Sequence, residues 1–366
     1  MPDHAVSSAA PSAPHPAAGV NVEQAASLLR SAADVVVIVL NWNGTAVIRA
    51  CLDGLRGQSF RDFAVLVVDN HSADDSPAII RAEYPEVELL ELPENHGFAR
   101  GNNEGIAHVW ATRPATRYIA LLNNDTLPQP GWLAVLVAAL EQRPEMGMAA
   151  SKILCWDGAS QPERIDTAGD MFFQHGAAGK RGHGEPADCY GTPEEVFGAC
   201  AGAALYRCEM LREIGLLDEE FFAYNEDVDL DFRARLAGWR CWYAPAAVVW
   251  HRVSYSAQAY SERVVYWSKR NSAWVLVKNW PARFFLRYAL PLLGYNFLSD
   301  LRWIFGGRAK AVLRGRWHAV LGLRRMLRKR ATILAARKIS DKELDRWIVR
   351  RTPWCEATRR ALRRYC

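Results

Sequence analysis

The chain has 366 residues, half of them hydrophobic and 23% charged, enough apolar material for one large core or two smaller ones and too much for an intrinsically disordered protein. Its formal net charge of +5 conceals two electrical parts: residues 281–366 hold 22 Lys and Arg against 5 Asp and Glu, a net of +17, which leaves −12 for residues 1–280. Eight cysteines at positions 51, 155, 189, 200, 208, 241, 355 and 366 are scattered without CxxC pairs, a pattern that argues against a zinc site or a disulfide framework and predicts reduced cytoplasmic thiols.

Residues 1–33 are expected to form a disordered or loosely helical tail. Their first twenty or so are Ala, Pro, Ser and His without apolar periodicity, and they lack the basic start and apolar core of a secretory signal. Three apolar, β-branched segments follow: Val35–Leu40, Phe63–Val68 and Tyr118–Leu122. They read as strands buried on both faces, with helix-like stretches between them, the βαβ alternation of a parallel sheet. Each ends in small polar residues: Asn41 and Asn43, then Asp69 and Asn70, then Asn123, Asn124 and Asp125. Such sheets bind ligands beyond the carboxyl ends of their strands, so these residues point to one composite pocket, although Asn and Asp are also ordinary turn formers.

Neither a GxGxxG dinucleotide fingerprint nor a GxxxxGK[ST] phosphate loop follows any strand, which argues against nicotinamide and P-loop enzymes. The segment Asn95–Gly105 combines glycines with Arg100 at the start of a helix-like run to Trp110. It suits an anion, or equally a glycine-rich turn with an arginine facing solvent. Further on, residues 176–190 read as a mobile glycine-rich loop, and Phe197–Leu205 as a run of small residues that serves either close packing or close approach of a ligand.

The most chemically pointed segment is Phe221–Asp231, which places Glu226, Asp227, Asp229 and Asp231 within six residues before a helix-like run from Phe232 to Gly238. That density fits a proton-transfer or metal site, and also an acidic helix start favoured by the macrodipole. Asp229 and Asp231 read as capping or structural groups pairing with Arg233 or Arg235. A later strand-like segment, Ala246–Trp250, ends at His251, which taken alone reads as a structural histidine. In the basic region the longest uncharged run, Tyr288–Ser299, contains Pro291 and Gly294 and is well short of the roughly 20 residues of a membrane span. Its aromatics and aliphatics interleave with arginine, so residues 281–366 are expected to be amphipathic helices resting on an anionic membrane surface. Nucleic acid is the weaker expectation, because no recognised binding motif accompanies the charge.

Five blocks in this order resemble family 2 glycosyltransferases, especially the rhamnosyltransferase-like branch: Val37–Gly44, Val67–Ser72, Gly97–Asn103, Leu121–Asp125 and Phe222–Leu230. The likeness covers residues 34–280, ends near Tyr266-Trp267-Ser268-Lys269-Arg270-Asn271, and fades across the basic region. It implies a GT-A fold, a mostly parallel α/β sheet flanked by helices, here with a helical basic C-terminal extension. It implies an inverting transferase that moves a hexose or deoxyhexose such as rhamnose from a nucleoside-diphosphate sugar to a saccharide or lipid-linked saccharide. The setting would be bacterial surface polysaccharide synthesis, peripheral on the cytoplasmic face of the plasma membrane. Asn41, Asn43, Asp69, Arg100, Asn103 and Asn124 would bind the nucleotide-sugar. Asp125 and His251 would hold a divalent cation, Mg²⁺ or Mn²⁺. Asp227 would be the base, with Glu226 orienting the acceptor or raising the basicity of Asp227. The chain departs from the family's DxD pattern at Asn123, one carboxylate fewer for a hard cation. The alternative expectation is a non-catalytic member that binds nucleotide-sugar or saccharide and docks through its basic tail. Nucleotidyl transfer is a weaker third, since Asn41-Trp42-Asn43-Gly44 is no phosphate loop.

Overall fold

The computed structural model describes residues 34–252 and 261–350. The tail expected over residues 1–33, residues 253–260 and residues 351–366, with Cys355 and Cys366, lie outside the described residues. Among the described cysteines all six are free thiols.

Four strands, β1 (Val35–Asn41), β2 (Phe63–Asp69), β3 (Glu88–Glu91) and β4 (Tyr118–Asn123), run parallel in the order β3-β2-β1-β4. Their crossovers are α1 (Ile48–Arg56), α2 (Ser76–Glu83) and α3 (Gly97–Thr112). The apolar runs are continuous because both sheet faces are covered. Val36 and Ile38 enter one core with Ile106 and Leu230, whereas Val35, Val37 and Val39 enter another with Ile48, Leu52 and Trp132. Pairing in register sets Asn41 beside Asp69 and Leu40 beside Asn123, so the polar strand ends share one edge.

Beyond β4 come β5 (Thr126–Pro128), α4 (Trp132–Glu141), β6 (Met146–Cys155), β7 (Arg164–Thr167), β8 (Asp170–Phe173), β9 (Ala178–Lys180), β10 (Glu194–Val196) and β11 (Ala203–Arg207). β11 is antiparallel to both β4 and β6 and joins the parallel block to the rest of the sheet. After α5 (Cys208–Ile214), a 3-10 turn (Glu219–Phe221) and α6 (Glu226–Leu236), the long strand β12 (Arg240–His251) runs parallel to β6. At its end β12 pairs with β5, placing His251 opposite Thr126 and thus next to Asp125.

The remainder is helical: α7 (Glu262–Asn279), α8 (Ala282–Arg287), α9 (Ala289–Trp303), α10 (Ala309–Ala335) and α11 (Asp341–Asp345), followed by a short strand, β13 (Ile348–Val349). A third core unites these helices with β8 and α6 through Phe172, Phe232, Trp274, Trp280, Phe284 and Ile348. β13 also pairs with β8. The boundary expected at residue 281 therefore marks a change of composition and charge while packing continues across it. No helix among the described residues is long and apolar enough to cross a membrane.

The glycine-rich stretch 176–190, expected to be mobile, is instead fastened. Lys180 of β9 donates to both carboxylate oxygens of Asp166 at 2.7 and 2.8 Å, His183 Nδ1 lies 3.0 Å from the Asp166 carbonyl oxygen, and Arg181 pairs with Glu194.

Candidate active site

The carboxyl edge of the parallel strands forms a closed hydrogen-bond net. Asn41 Nδ2 donates to Asp69 Oδ1 and Ser76 Oγ, both at 2.8 Å, while Asn124 donates to Asn41 Oδ1 at 2.9 Å. Ser72 donates its hydroxyl to Asp69 Oδ1 at 2.6 Å and its main-chain N–H to Oδ2 at 3.0 Å. Asn43 joins through its main-chain N–H to Ser72 Oγ and accepts from Ala73 N–H. Four of the expected nucleotide-sugar residues, Asn41, Asn43, Asp69 and Asn124, thus share one rigid constellation. Gly44 closes it: a Cβ there would stand 2.1 Å from Asn41 Oδ1.

Arg100 and Asn103 do not touch that net. Arg100 reaches Glu104 at 3.2 Å and Glu219 at 4.0 Å. Asn103 is buried, donates to the Leu217 carbonyl at 2.8 Å and to Glu219 at 3.1 Å, and accepts from Leu217 N–H. Its amide holds the chain that leads into the acidic segment. The start of α3 is likewise committed, because Phe98 and Ala99 donate their main-chain N–H groups to the Phe222 carbonyl. Gly97, at φ +73°, permits this contact, since a Cβ would sit 2.6 Å from that oxygen. The helix N-terminus that suited an anion is capped by protein.

The acidic segment begins with a left-handed turn. Phe222, Tyr224 and Asn225 all have positive φ (64°, 72° and 66°), a conformation that costs a non-glycine residue about 1–2 kcal/mol. Such a turn persists only where its surroundings hold it. Here the holders are Asn271, which donates to the carbonyls of Phe221, Ala223 and Tyr224, and Arg270, which donates to those of Glu220 and Phe221. Helix α6 then starts at Glu226, six residues earlier than the run expected from Phe232, so the carboxylates do occupy a helix start.

Within that start the four carboxylates differ. Asp229 accepts from Arg233 at 2.9 Å, from Lys278 at 2.8 Å and from Asn279 at 2.9 Å. Burial would raise its pKa, but Lys278 and Arg233 outweigh that and hold it down at about 2. Asp231 accepts from Ala199 N–H and does not pair with Arg235, which binds Glu195 instead. The small residue at Gly198 makes room for it, as a Cβ there would overlap the Asp231 carboxylate. Glu226 is buried with Oε2 unpartnered, and burial together with the Asp227 charge holds it well above the usual carboxylate range. Asp227 remains partly exposed and accepts from Val228 N–H at 2.8 Å and Ala201 N–H at 3.5 Å. Desolvation raises its pKa, and those N–H groups and Lys180 offset this only in part. A carboxylate so placed is a competent proton acceptor.

Lys180 ties this cluster to the second half of the site. It binds Asp166, whose Oδ2 lies 3.0 Å from His251 Nδ1, and His251 Nε2 lies 3.2 Å from Asp125 Oδ1. Burial would lower the His251 pKa, but Asp125 and Asp166 overcome it and hold the imidazole up at about 9. With Nδ1 committed to Asp166, Nε2 faces a carboxylate oxygen that has no aligned hydrogen bond. The pair offers one nitrogen and one oxygen donor, with Asp166 orienting the imidazole, a donor set that suits a mixed nitrogen and oxygen cation site. Among the described residues no three His, Cys, Asp or Glu side chains form a complete metal cage. Asn123 packs against Gly202, where a Cβ would lie 3.2 Å from its amide nitrogen.

Residues 35–215 match the profile of glycosyl transferase family 2. This chain carries a family 2 glycosyltransferase domain. The glycosyltransferase is 28% identical over 268 residues to N-acetylglucosaminyl-diphospho-decaprenol L-rhamnosyltransferase of Mycobacterium tuberculosis, an alignment covering 66% of this chain and 86% of that one. It is 29% identical over 224 residues to the pre-mycofactocin glycosyltransferase of the same organism, covering 60% of this chain and 42% of the relative. Among solved structures, GalNAc-T7 with UDP, GalNAc and Mn²⁺ superposes with a TM-score of 0.56 at 13% identity, over 69% of this chain and 49% of that enzyme. S. aureus TarS superposes with a TM-score of 0.50 at 16% identity, over 83% and 55% of the two chains. The glycosyltransferase has the GT-A fold of these neighbours.

Sequence reading did not assign roles to Asp166, Lys180, Arg270 or Asn271. Lys180 falls in the stretch that reads as a mobile loop, Asp166 lies shortly before it, and Arg270 and Asn271 end the family likeness. Only their long-range partners reveal what they do.

Proposed function

We propose that the protein is an inverting glycosyltransferase that moves a hexose or deoxyhexose of the rhamnose type from a nucleoside diphosphate to a saccharide carried on a lipid. The observation that carries this reading is the continuity of the polar nest. Asp125 and His251 at one end connect through Asp166 and Lys180 to the neighbourhood of Asp227 at the other. The likeness to a rhamnosyltransferase whose name specifies a diphospho-decaprenol acceptor supports the substrate class.

In this reading the net around Asn41, Asp69 and Asn124 receives the nucleotide, with Asp69 accepting from the base. Asn43 rims the same pocket, and Arg100, partly exposed at the start of α3, would exchange its contact with Glu104 for phosphate. Asn103 contributes indirectly, by holding the loop at Leu217. Asp125 and His251 would hold Mg²⁺ or Mn²⁺, oriented by Asp166, and a cation bound there supplies charge neutralisation for the departing diphosphate. Asp227 accepts the proton of the attacking hydroxyl as the new glycosidic bond forms, and Glu226, with one free oxygen, orients that hydroxyl. The raised pKa of Asp227 makes it a stronger base than an ordinary carboxylate.

Asp227→Asn retains size and removes the proton acceptor. Nucleoside diphosphate release in the presence of an acceptor should fall by at least about three orders of magnitude, while donor affinity stays within a few fold. Wild-type turnover in that variant removes Asp227 from the mechanism. Absence of any acceptor-dependent release in the unaltered protein, with donor still bound, would favour a binding member without catalysis.

A further inference from the structure

Of the thirteen large hydrophobic side chains exposed among the described residues, all but Trp42 fall between positions 286 and 327. Leu290 is 87% exposed and Phe305 is 84% exposed, well beyond the scattered exposure of an ordinary surface. Leu290, Leu293 and Phe297 recur at steps of three and four, so they share one face of α9. On α10, Leu313, Trp317 and Leu321 follow at steps of four. Between the two helices the chain turns at Gly306 and Gly307, with Phe305 at the bend.

Helix α10 has two apolar faces with different fates. One is dry: Gly315 and Gly322 pack so closely on α7 that a Cβ would meet the Tyr266 carbonyl at 2.8 Å and the Trp274 ring at 2.5 Å. The other carries Trp317 and Leu321 into solvent beside Arg324 and Arg328, which have no ion-pair partner among the described residues. Their neighbours Arg325 and Lys329 point inward and bind Glu220 and Asp218, on the turn that precedes the acidic segment. A single helix, about 10 Å across, thus separates the outward face from that turn.

We propose that the outer face of α9 and α10 lies in the headgroup region of an anionic lipid bilayer. Leu290, Phe297, Phe305, Trp317 and Leu321 enter the acyl boundary, and Arg324 and Arg328 meet lipid phosphates. Charge selects lipid over a second copy of the chain. Apposing two such faces would bring two regions of net +17 together, whereas an anionic surface attracts them. If the acceptor is lipid-linked, which rests on the function proposed above, this face also brings the carrier headgroup to the site.

The test uses the full chain and vesicles, and its binding readout is independent of transfer. Co-sedimentation with phosphatidylcholine vesicles containing about one-third phosphatidylglycerol should be strong at low salt and weaken as salt rises, with little binding to pure phosphatidylcholine. Arg324→Glu with Arg328→Glu should weaken binding at least tenfold, and so should Leu290→Glu with Phe297→Glu. Melting temperatures and transfer to a water-soluble acceptor should stay unchanged in both double variants. Unchanged vesicle binding in either double variant overturns the proposal, as does equal binding to neutral and anionic vesicles. A wild-type protein that ignores vesicles and is dimeric by light scattering, becoming monomeric in Leu290→Glu with Phe297→Glu, assigns the face to a second copy and overturns it too.

Discussion

Asn271 gives the sharpest test of how the acidic segment is held. Its side-chain nitrogen lies 3.0, 2.9 and 2.7 Å from the carbonyl oxygens of Phe221, Ala223 and Tyr224, so two N–H protons serve three acceptors. Truncation to Ala removes about two net hydrogen bonds, near 1 kcal/mol each, and leaves a buried carbonyl unpaired at about 1–3 kcal/mol, together about 3–5 kcal/mol. Positive φ at Phe222, where ψ of −62° makes a γ-turn, and at Tyr224 stores a comparable strain of about 2–4 kcal/mol. The brace and the strain are evenly matched, so its loss lets the turn relax and shifts Glu226 and Asp227. A displacement of about 1 Å costs on the order of a hundredfold in rate. The expected outcome is a fall of that size in kcat with the donor KM nearly unchanged, and a melting point lower by roughly 4–7 °C. Asn271→Asp separates hydrogen-bond polarity from volume, because it sets a carboxylate against the same carbonyls. Wild-type kcat and melting temperature in Asn271→Asp would refute the brace.

Asp229→Asn should destabilise the protein by about 3 kcal/mol in urea unfolding at neutral pH, because Lys278 and Arg233 keep their buried charges without it. The depressed pKa of Asp229 means its contribution is complete above the unfolded value of about 3.9 and is lost as pH falls toward about 2, so the gap between variant and wild type should close over that window. Asp166→Asn should weaken Mn²⁺ binding, measured calorimetrically with nucleoside diphosphate present, by about 10–100-fold. An unchanged Mn²⁺ affinity would detach Asp166 from the cation site.

The parallel strands were legible because each is covered on both faces, which leaves an uninterrupted apolar run such as Val35–Leu40 with a polar residue at its end. The constellation of Asn41, Asp69 and Asn124 followed from the same logic, since parallel register aligns strand ends. The start of α6 was not legible. Positive φ at Phe222 and Tyr224 carries no glycine to announce it, and the residues that stabilise it stand nearly fifty positions away. Residues 176–190 looked mobile for a related reason: their glycines are local and visible, whereas the anchor at Asp166 belongs to another strand. Asn103 resembled a ligand-binding amide, yet its partner is the main chain at Leu217, more than a hundred residues distant. In the basic region composition changes sharply at 281, but apolar packing does not, because Trp280, Phe284 and Ile348 close over Phe172 and Phe232.

The carbonyl of Phe222 receives two N–H groups from the start of α3 while its own backbone forms the bend before Glu226. One oxygen atom is therefore common property of the start of α3 and the turn that leads into the acidic segment. Chimaeras assembled from two such enzymes, one supplying donor preference and the other acceptor preference, have no clean seam here. Residues 97–99, 221–225 and 270–271 have to be exchanged as a set, and grafts that divide the set should express as misassembled protein however well each half behaves at home.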